Sequence, residues 1–236
     1  MTIHTLRALK DNFIYVLATG RECAVIDPGD AGPVEEFLAQ LELKLTHILC
    51  THHHHDHIDG VPALAAKHGC GVLCSHTDRP RIAGATQGLG AGEKFQLLGE
   101  LVEVMEIPGH THGQIAYHLP RLAAVFPGDT LFSCGCGRLF EGTPAQMFAS
   151  MCQLRALPSA TQVYFGHEYS VRNAEFVMAN LPSEKVRAHL ESCAATVARG
   201  GDTTPTTIGV EMEINPLLNA ASAEDFKHWR ELRNSW

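Results

Sequence analysis

The sequence predicts an α/β fold followed by a small, mostly helical unit. Two observations lead to that class. Up to about residue 168, short apolar runs alternate with helical stripes, the pattern of strands covered by helices. After His167 the texture changes, and amphipathic helical segments replace the alternation. The expected division is therefore residues 1–168 as an α/β domain and residues 169–236 as the helical one.

Taken in order, "NFIYVLA" (12–18) and "ECAVID" (22–27) read as a strand pair around a turn at Gly20. "GPVEEFLAQLEL" (32–43) carries apolar residues at 34, 37, 38 and 41, which is a helical stripe. "LTHILCT" (45–51) is a buried strand, and "IDGVPALAAKHG" (58–69) is a helix with Gly69 as its stop signal. Further strands follow at 71–76, 101–107, 114–119, 122–126 and 161–166. The segment 143–157 is a helix with Thr143 as N-cap and Pro144 at its first position. Beyond residue 168, helices are expected over 172–181, 183–200 and 223–236.

Bulk properties narrow the function. The chain has 236 residues with 45% hydrophobic composition, enough for one substantial core or one core with a small appendage. A net charge of −8, with no basic excess anywhere, argues against a nucleic-acid partner. No apolar run is long enough to span a membrane, so no membrane partner is expected. The opening "MTIHTLRALKDNFIYVLATG" lacks the basic and long apolar regions of a secretory signal, so a cytoplasmic location is expected. Eight cysteines at 23, 50, 70, 74, 134, 136, 152 and 193 read mostly as buried, reduced thiols. The pairs 70/74 and 134/136 lack a matching CxxC, which argues against a cysteine metal or redox site.

The chemistry concentrates in "THHHHDH" (51–57), which lies where a buried strand gives way to a helix. Open α/β sheets place ligand sites at such carboxyl ends of strands. Side chains two apart in extended backbone share a face, so His52 and His54 point one way and His53 and His55 the other. Asp56 and His57 follow as the chain turns into the helix and can face a second, nearby point. Three more residues sit in turns just past buried strands: His110 in "IPGHTHG", Asp129 in "VFPGDTLF" and His167 in "VYFGHEYS". An isolated histidine in such a place is ordinarily a polar turn residue, and His4, His47, His68, His76, His112, His118, His189 and His228 are read that way. Seven candidate ligands at one structural level exceed the needs of one tetrahedral ion and imply two divalent metals. The expected allocation is His52, His54 and His110 on the first and Asp56, His57 and His167 on the second, with Asp129 bridging. Imidazole and carboxylate suit zinc first, with iron or manganese as alternatives. Asp56 and Asp129 are expected to orient the metal-held hydroxide, and Asp27 in "IDPGD" to orient the ligand loop from behind.

The HxHxDH pattern, joined to His110, Asp129 and His167, resembles the metallo-β-lactamase superfamily, and within it the glyoxalase II family. The likeness runs through "DNFIYVL" (11–17), "IDPGD" (26–30), "THHHHDH", "PGHT" (108–111), "GDTLFSCGCGRLFEGT" (128–143) and "GHEYS" (166–170), in family order. The resemblance implies a four-layer αβ/βα sandwich with a C-terminal helical domain, residues 1–168 being catalytic and 169–236 binding substrate. It implies hydrolysis of a glutathione thioester by a monomer acting on a small molecule. By position it implies that Arg138, Phe140, Tyr169, Arg230 and Arg233 contact the glutathione part, whose two carboxylates suit bidentate arginine. The chain departs from the family pattern at Phe140, where some members carry tyrosine, at Asp59 and Gln114, and at Asn219, where a basic residue is usual. The same metal set can serve lactams, lactones, phosphodiesters or persulfide oxidation. The acidic charge balance argues against a nuclease, and "GCGRLFEGT" with the C-terminal arginines argues for the thioester. A histidine-rich storage protein would cluster its ligands locally, whereas these span residues 52 to 167.

Overall fold

A computed structural model describes residues 1–236. Two compact units emerge, Met1–Glu106 with Gly113–Leu122, and Ile107–His112 with Ala123–Trp236. The chain thus passes between them more than once.

The first unit opens with β1 (Thr2–Ala8), β2 (Asn12–Thr19) and β3 (Glu22–Ile26), which pair antiparallel, β1 running from Thr2↔Ala18 to Ala8↔Asn12. Helix α1 (Ala31–Leu41) then leads to β4 (Lys44–Leu49), and α2 (His55–Ile58) and α3 (Val61–His68) lead to β5 (Gly71–Ser75) and β6 (Gln87–Leu89). These later strands are parallel to β3, as crossover helices require, and the six lie in chain order. Residues Asn12–Leu17 of β2 are buried on both faces, which explains the unbroken apolar run. Val34 and Leu38, four apart on α1, pack with Val61 and Leu64 of α3 and Val25, Ile48 and Val72 of the sheet. Asp30 caps α1 by accepting from the Gly32 amide, and Gly69 ends α3 in the left-handed region (φ 62°) that glycine reaches without strain. The antiparallel strands β7 (Lys94–Leu97), β8 (Glu100–Glu106) and β9 (Ile115–Leu119) complete the unit. The Tyr117 hydroxyl donates to the Cys50 carbonyl at 3.0 Å, and the Ile115 amide to Thr51 at 2.9 Å, so β9 braces the loop that follows β4.

The second unit contains β10 (Ala124–Gly128), the hairpin β11 (Leu131–Phe132) and β12 (Gly135–Cys136), α4 (Pro144–Arg155) and β13 (Gln162–Phe165). Helices α5 (Ser170–Asn180) and α6 (Glu184–Ala198), strand β14 (Thr206–Thr207), α7 (Ile208–Ile214) and α8 (Ala223–Asn234) follow. Strand β10 pairs parallel with β13, and β13 antiparallel with β14. At the start of α4, Thr143 and Gln146 form a reciprocal capping box ahead of Pro144, as the sequence predicts. Phe176, Val177, Val186 and Ile214 bury a helical core that Trp229 and Leu232 cover. Asn219, the departure from a basic residue, donates through Nδ2 to the carbonyls of Glu211, Met212 and Asn215 and so closes the C-terminal end of α7.

Strands β1, β6, β7 and β14, the β11–β12 hairpin and α7 fall outside the elements expected from sequence. β1 is largely half-exposed, so its apolar alternation is weak, and α7 is too short for a 3.6-residue period to register. The helix expected from residue 58 is split, α2 beginning within the histidine run and α3 after Gly60. No helix is long and apolar enough to cross a membrane.

One buried carboxylate stands out in the helical part. Glu211 is fully buried and accepts from the Cys134 amide (2.8 Å), Thr206 Oγ1 (2.8 Å) and Asn215 Nδ2 (3.0 Å). Burial raises its carboxyl from 4.5 to about 7, against the opposing pull of those hydrogen bonds. A raised carboxyl pKa means that between those two values the folded state holds the proton more firmly than the unfolded chain. This group's contribution to stability therefore falls as pH rises from 4.5 to about 7, then levels off. Glu211→Gln removes that titration. In urea denaturation, the stability of E211Q relative to the parent should improve between about pH 5 and about pH 8. A pH-independent difference would show that Glu211 titrates normally.

Candidate metal centre

In the first unit, Asp27 gathers Thr51, His52 and His57. This residue sits at the end of β3 in left-handed backbone (φ 51°), a conformation that aspartate tolerates better than most residues. Its Oδ1 accepts from the Thr51 amide at 2.7 Å, and its Oδ2 from Thr51 Oγ1 at 2.6 Å and from His57 Nδ1 at 3.0 Å. Because the Thr51 hydroxyl gives its proton to Asp27, its free lone pair accepts from His52 Nδ1 at 3.0 Å. Both rings are thereby protonated at Nδ1, which leaves Nε2 of His52 and of His57 unprotonated, the form in which imidazole can ligate a metal. This is the carboxylate–histidine arrangement by which proteins set ligand tautomers. Asp27, His52 and His57 also place ligand atoms within 4.8 Å of one another, but both Asp27 oxygens already hold donors, so its part is positioning.

Around these rings the remaining donors follow the sequence expectation. His52 Nε2 lies 3.1 Å from His54 Nδ1, and His57 Nε2 lies 3.6 Å from Asp56 Oδ2. His53 turns away to Asp78 (3.1 Å), and His55, with its side chain 90% exposed, turns to Asp59 (3.0 Å). Asn12 donates through Nδ2 to both the carbonyl and Oδ2 of Asp56, at 3.0 and 2.9 Å, and holds that side chain on its backbone. The loop is packed against the "IDPGD" turn so closely that a Cβ on Gly29 would lie 1.8 Å from the Asp56 carbonyl oxygen.

The second unit brings His110, Asp129 and His167 together. His110 Nδ1 donates to the Arg138 carbonyl at 2.8 Å, which again sets the tautomer with Nε2 unprotonated, here 3.5 Å from Asp129 Oδ2. His167 Nε2 lies 3.2 Å from the same oxygen. All three residues are buried. Gly137 permits the close approach, since a Cβ there would meet the Asp129 carbonyl at 2.0 Å and His110 Nδ1 at 2.8 Å. The Tyr169 ring stacks on His167, parallel within 2° and 4.9 Å away, and Phe140 meets His110 edge-on at 5.3 Å.

These spacings suit a metal. Two donors each about 2.0–2.1 Å from a tetrahedral ion stand about 3.3 Å apart. The four ligand-pair distances, 3.1, 3.6, 3.5 and 3.2 Å, surround that value, and the longer two exceed a good hydrogen bond. The nitrogen and oxygen donors, with their tautomers set from behind, fit divalent ions.

The expected substrate residues all fall in the second unit. Arg138 and Phe140 are exposed, and Tyr169 is half-buried. Arg230 is buried, donating from Nη1 to the Cys136 carbonyl at 2.8 Å and lying 3.5 Å from that of Gly137. Arg233 donates to Asn173 Oδ1 at 3.1 and 3.3 Å and lies over the Phe176 ring. Burial, followed by the charges of Arg230, Arg172 and Arg138, pushes Arg233 down to about 10. Three other guanidiniums thus act on that of Arg233 in an acidic protein. Sequence reasoning overlooked Arg172, Asn12, Thr51 and Asp78. Asn12 alone carried a signal, as a polar residue opening an apolar strand.

The cysteines are all free, and burial raises the thiols of the buried ones, Cys23 and Cys74 to about 12, so the buried thiols are not activated nucleophiles. The one ring contact of note outside the ligand set is His189, whose Nε2 lies 2.8 Å from Ser133 Oγ.

Known proteins resemble this chain over most of its length. The metallo-beta-lactamase superfamily model matches residues 9–186, and the hydroxyacylglutathione hydrolase C-terminus model matches residues 168–236. The hydroxyacylglutathione hydrolase of Pseudomonas paraeruginosa is 45% identical over 224 residues, which is 93% of this chain and 86% of the relative. That of Gloeobacter violaceus is 43% identical over 99% of both chains. Among solved structures, ETHE1 from Myxococcus xanthus aligns with a TM-score of 0.76 at 28% identity, covering 98% of this chain and 90% of that one. TTHA1623, solved in a di-iron-bound form, aligns with a TM-score of 0.66 at 27% identity, covering 92% of this chain and 99% of that one. The α/β class expected from the sequence is the observed one.

Asp27 aims two ligand histidines without being one. Asp27→Ala should lower zinc affinity about 10–100-fold, read by competition with a chromogenic chelator, while the fold persists in circular dichroism. Unchanged affinity would remove Asp27 from the centre.

Proposed function

The chain belongs to the hydroxyacylglutathione hydrolase family of the metallo-β-lactamase superfamily, and on that footing we propose that it is a glyoxalase II. It hydrolyses S-D-lactoylglutathione, and related S-2-hydroxyacylglutathiones, to glutathione and the hydroxy acid, D-lactate in the first case. That reaction is the second step of methylglyoxal detoxification. The observation that carries this reading is an aimed histidine–aspartate donor set and an arginine cluster on the same stretch of chain. His110 is held by the Arg138 carbonyl, while the Arg138 guanidinium belongs to the group that depresses Arg233.

On this reading His52, His54 and His110 would hold one ion, Asp56, His57 and His167 the other, and Asp129 would serve both. Bound there, two divalent ions, zinc by preference, supply the Lewis acidity that makes water a nucleophile near neutral pH and polarises a carbonyl. The residues do the rest. Asp27, Thr51 and the Arg138 carbonyl keep the ligand rings in one tautomer. Asp56 and Asp129 accept hydrogen bonds from the attacking water and aim it at the thioester carbon. The leaving thiol has a pKa of about 8.5, so it departs as thiolate without a strong general acid. None is needed from the chain.

Substrate is held by charge and by aromatic walls. Arg138 and Arg233 face the two glutathione carboxylates, and their arrival relieves repulsion within the cluster. Tyr169 and Phe140, each packed on a ligand histidine, flank the reacting centre, and Arg230 supports the backbone at Cys136 and Gly137 that leads to Phe140. Residues 169–236 are the substrate-binding part and 1–168 the catalytic part. The protein works as a monomer in a reducing cytoplasm, to which its unpaired cysteines are suited, on a small molecule and without nucleic acid or membrane.

The test supplies S-D-lactoylglutathione, a β-lactam and an acyl-homoserine lactone in parallel, with metal analysis of the same sample. The thioester should be turned over far faster than either ring. His54→Ala and Asp129→Ala should each reduce turnover at least about a hundredfold and lower metal content. Lactone turnover exceeding thioester turnover would overturn the substrate, and near-normal hydrolysis by a metal-depleted variant would overturn the mechanism.

A further inference from the structure

The β11–β12 hairpin is held in place almost entirely from outside itself. Its strands are two residues each, pairing Leu131 with Cys136 and Phe132 with Gly135. A ribbon that short has little stability of its own. Its turn also puts Cys134 in left-handed backbone (φ 54°), an unfavourable place for a residue with a Cβ. Such a conformation persists only where the surroundings over-determine it.

Here the surroundings are side chains of α7, its end and α5. Glu211 Oε2 accepts from the Cys134 amide at 2.8 Å and from Asn215 Nδ2 at 3.0 Å. The same Asn215 amide lies against the carbonyls of Phe132 (3.2 Å) and Gly135 (3.1 Å), on either side of the turn. Asn173 Nδ2 donates to the Ser133 carbonyl at 3.1 Å. A single buried carboxylate thus grips the turn twice, once directly and once through Asn215. Thr206 Oγ1, donating to Oε1 at 2.8 Å, fixes the carboxylate plane. An acid kept fully buried, with only hydrogen-bond donors recorded against it, opposes its own solvation, and no ligand of the metal centre touches it.

The hairpin runs directly into Gly137, Arg138 and Phe140. We propose that Glu211 is a positioning residue for substrate, setting the turn from Phe132 to Gly137 so that Arg138 and Phe140 meet the glutathione part. This rests on the glyoxalase II reading above. The carboxylate acts through the hairpin and touches no reacting atom. Because Oε2 does the gripping and Oε1 meets only a hydroxyl that can reverse its proton, a glutamine can substitute. Its amide oxygen takes the Oε2 place, and its NH2 donates to Thr206.

The experiment compares Glu211→Ala, Glu211→Gln and Asn215→Ser with the parent as metal-loaded full chains. Three quantities are read: kcat and KM for S-D-lactoylglutathione, affinity for the product glutathione, and amide hydrogen exchange over residues 132–140. E211A and N215S should raise KM and weaken glutathione binding about tenfold, equivalent to one well-placed contact, with metal content retained and a smaller change in kcat. Exchange over the hairpin should quicken in both, and E211Q should restore all three readings towards the parent. If E211A is too unstable to purify, N215S and E211Q decide the matter between them. Parental KM, glutathione affinity and exchange in folded N215S or E211A would overturn the proposal. So would a fall in metal content and kcat at constant KM, since that would place the effect at the metal centre. Should the parent itself fail to hydrolyse the thioester, the glyoxalase reading falls. Hydrogen exchange then still shows whether Glu211 holds the hairpin, and unaltered exchange sinks that too.

Discussion

The His52 and His57 rings are both aimed by hydrogen bonds ending on one buried carboxylate, that of Asp27. One contact is direct, to His57, and the other passes through the Thr51 hydroxyl to His52. The geometry needs Asp27 in left-handed backbone at the end of β3, next to the parallel strand β4 whose last turn carries Thr51. Strand pairing, backbone conformation and tautomer are therefore one constraint. A slip of one residue between β3 and β4 would turn Asp27 to the other face and leave both imidazoles free to rotate and to change tautomer.

The second unit solves the same problem with backbone. The Arg138 carbonyl does for His110 what Asp27 does for His57, and it lies in a segment that Arg230 anchors through Cys136 and Gly137. The expected substrate residue Arg138 and the orientation of the His110 ring consequently share one loop. Its glycines are required by close approach, most plainly Gly137, where a Cβ would strike both Asp129 and His110. The loop's upstream end is the clamped hairpin, so the helical part of the chain reaches the metal ligands through hydrogen bonds to backbone.

The departures from the family pattern look different once their contacts are known. Asn219 replaces a basic side chain with one that caps α7, the helix bearing Glu211. Asp59 pairs with the exposed His55, away from the ligand rings. Phe140 keeps the aromatic contact with His110 and dispenses with a hydroxyl. Each preserves a structural duty while changing the chemistry on offer.

Much of this was legible in the chain itself. Apolar periodicity located the long strands and helices, and the two-residue period of extended backbone separated His52 and His54 from His53 and His55, because direction along a strand is a local property. Donor chemistry at strand ends picked out His110, Asp129 and His167, since residue type and local position suffice for that. Short elements such as β1 and α7 escaped because half-exposed or brief segments carry too little pattern. Tautomers, the buried duty of Arg230, the Asn12–Asp56 bonds and the grip of Glu211 on Cys134, 77 residues away, were decided only by tertiary structure. A hydrogen bond depends on where two distant backbones come to rest, and no local feature of either partner records the other.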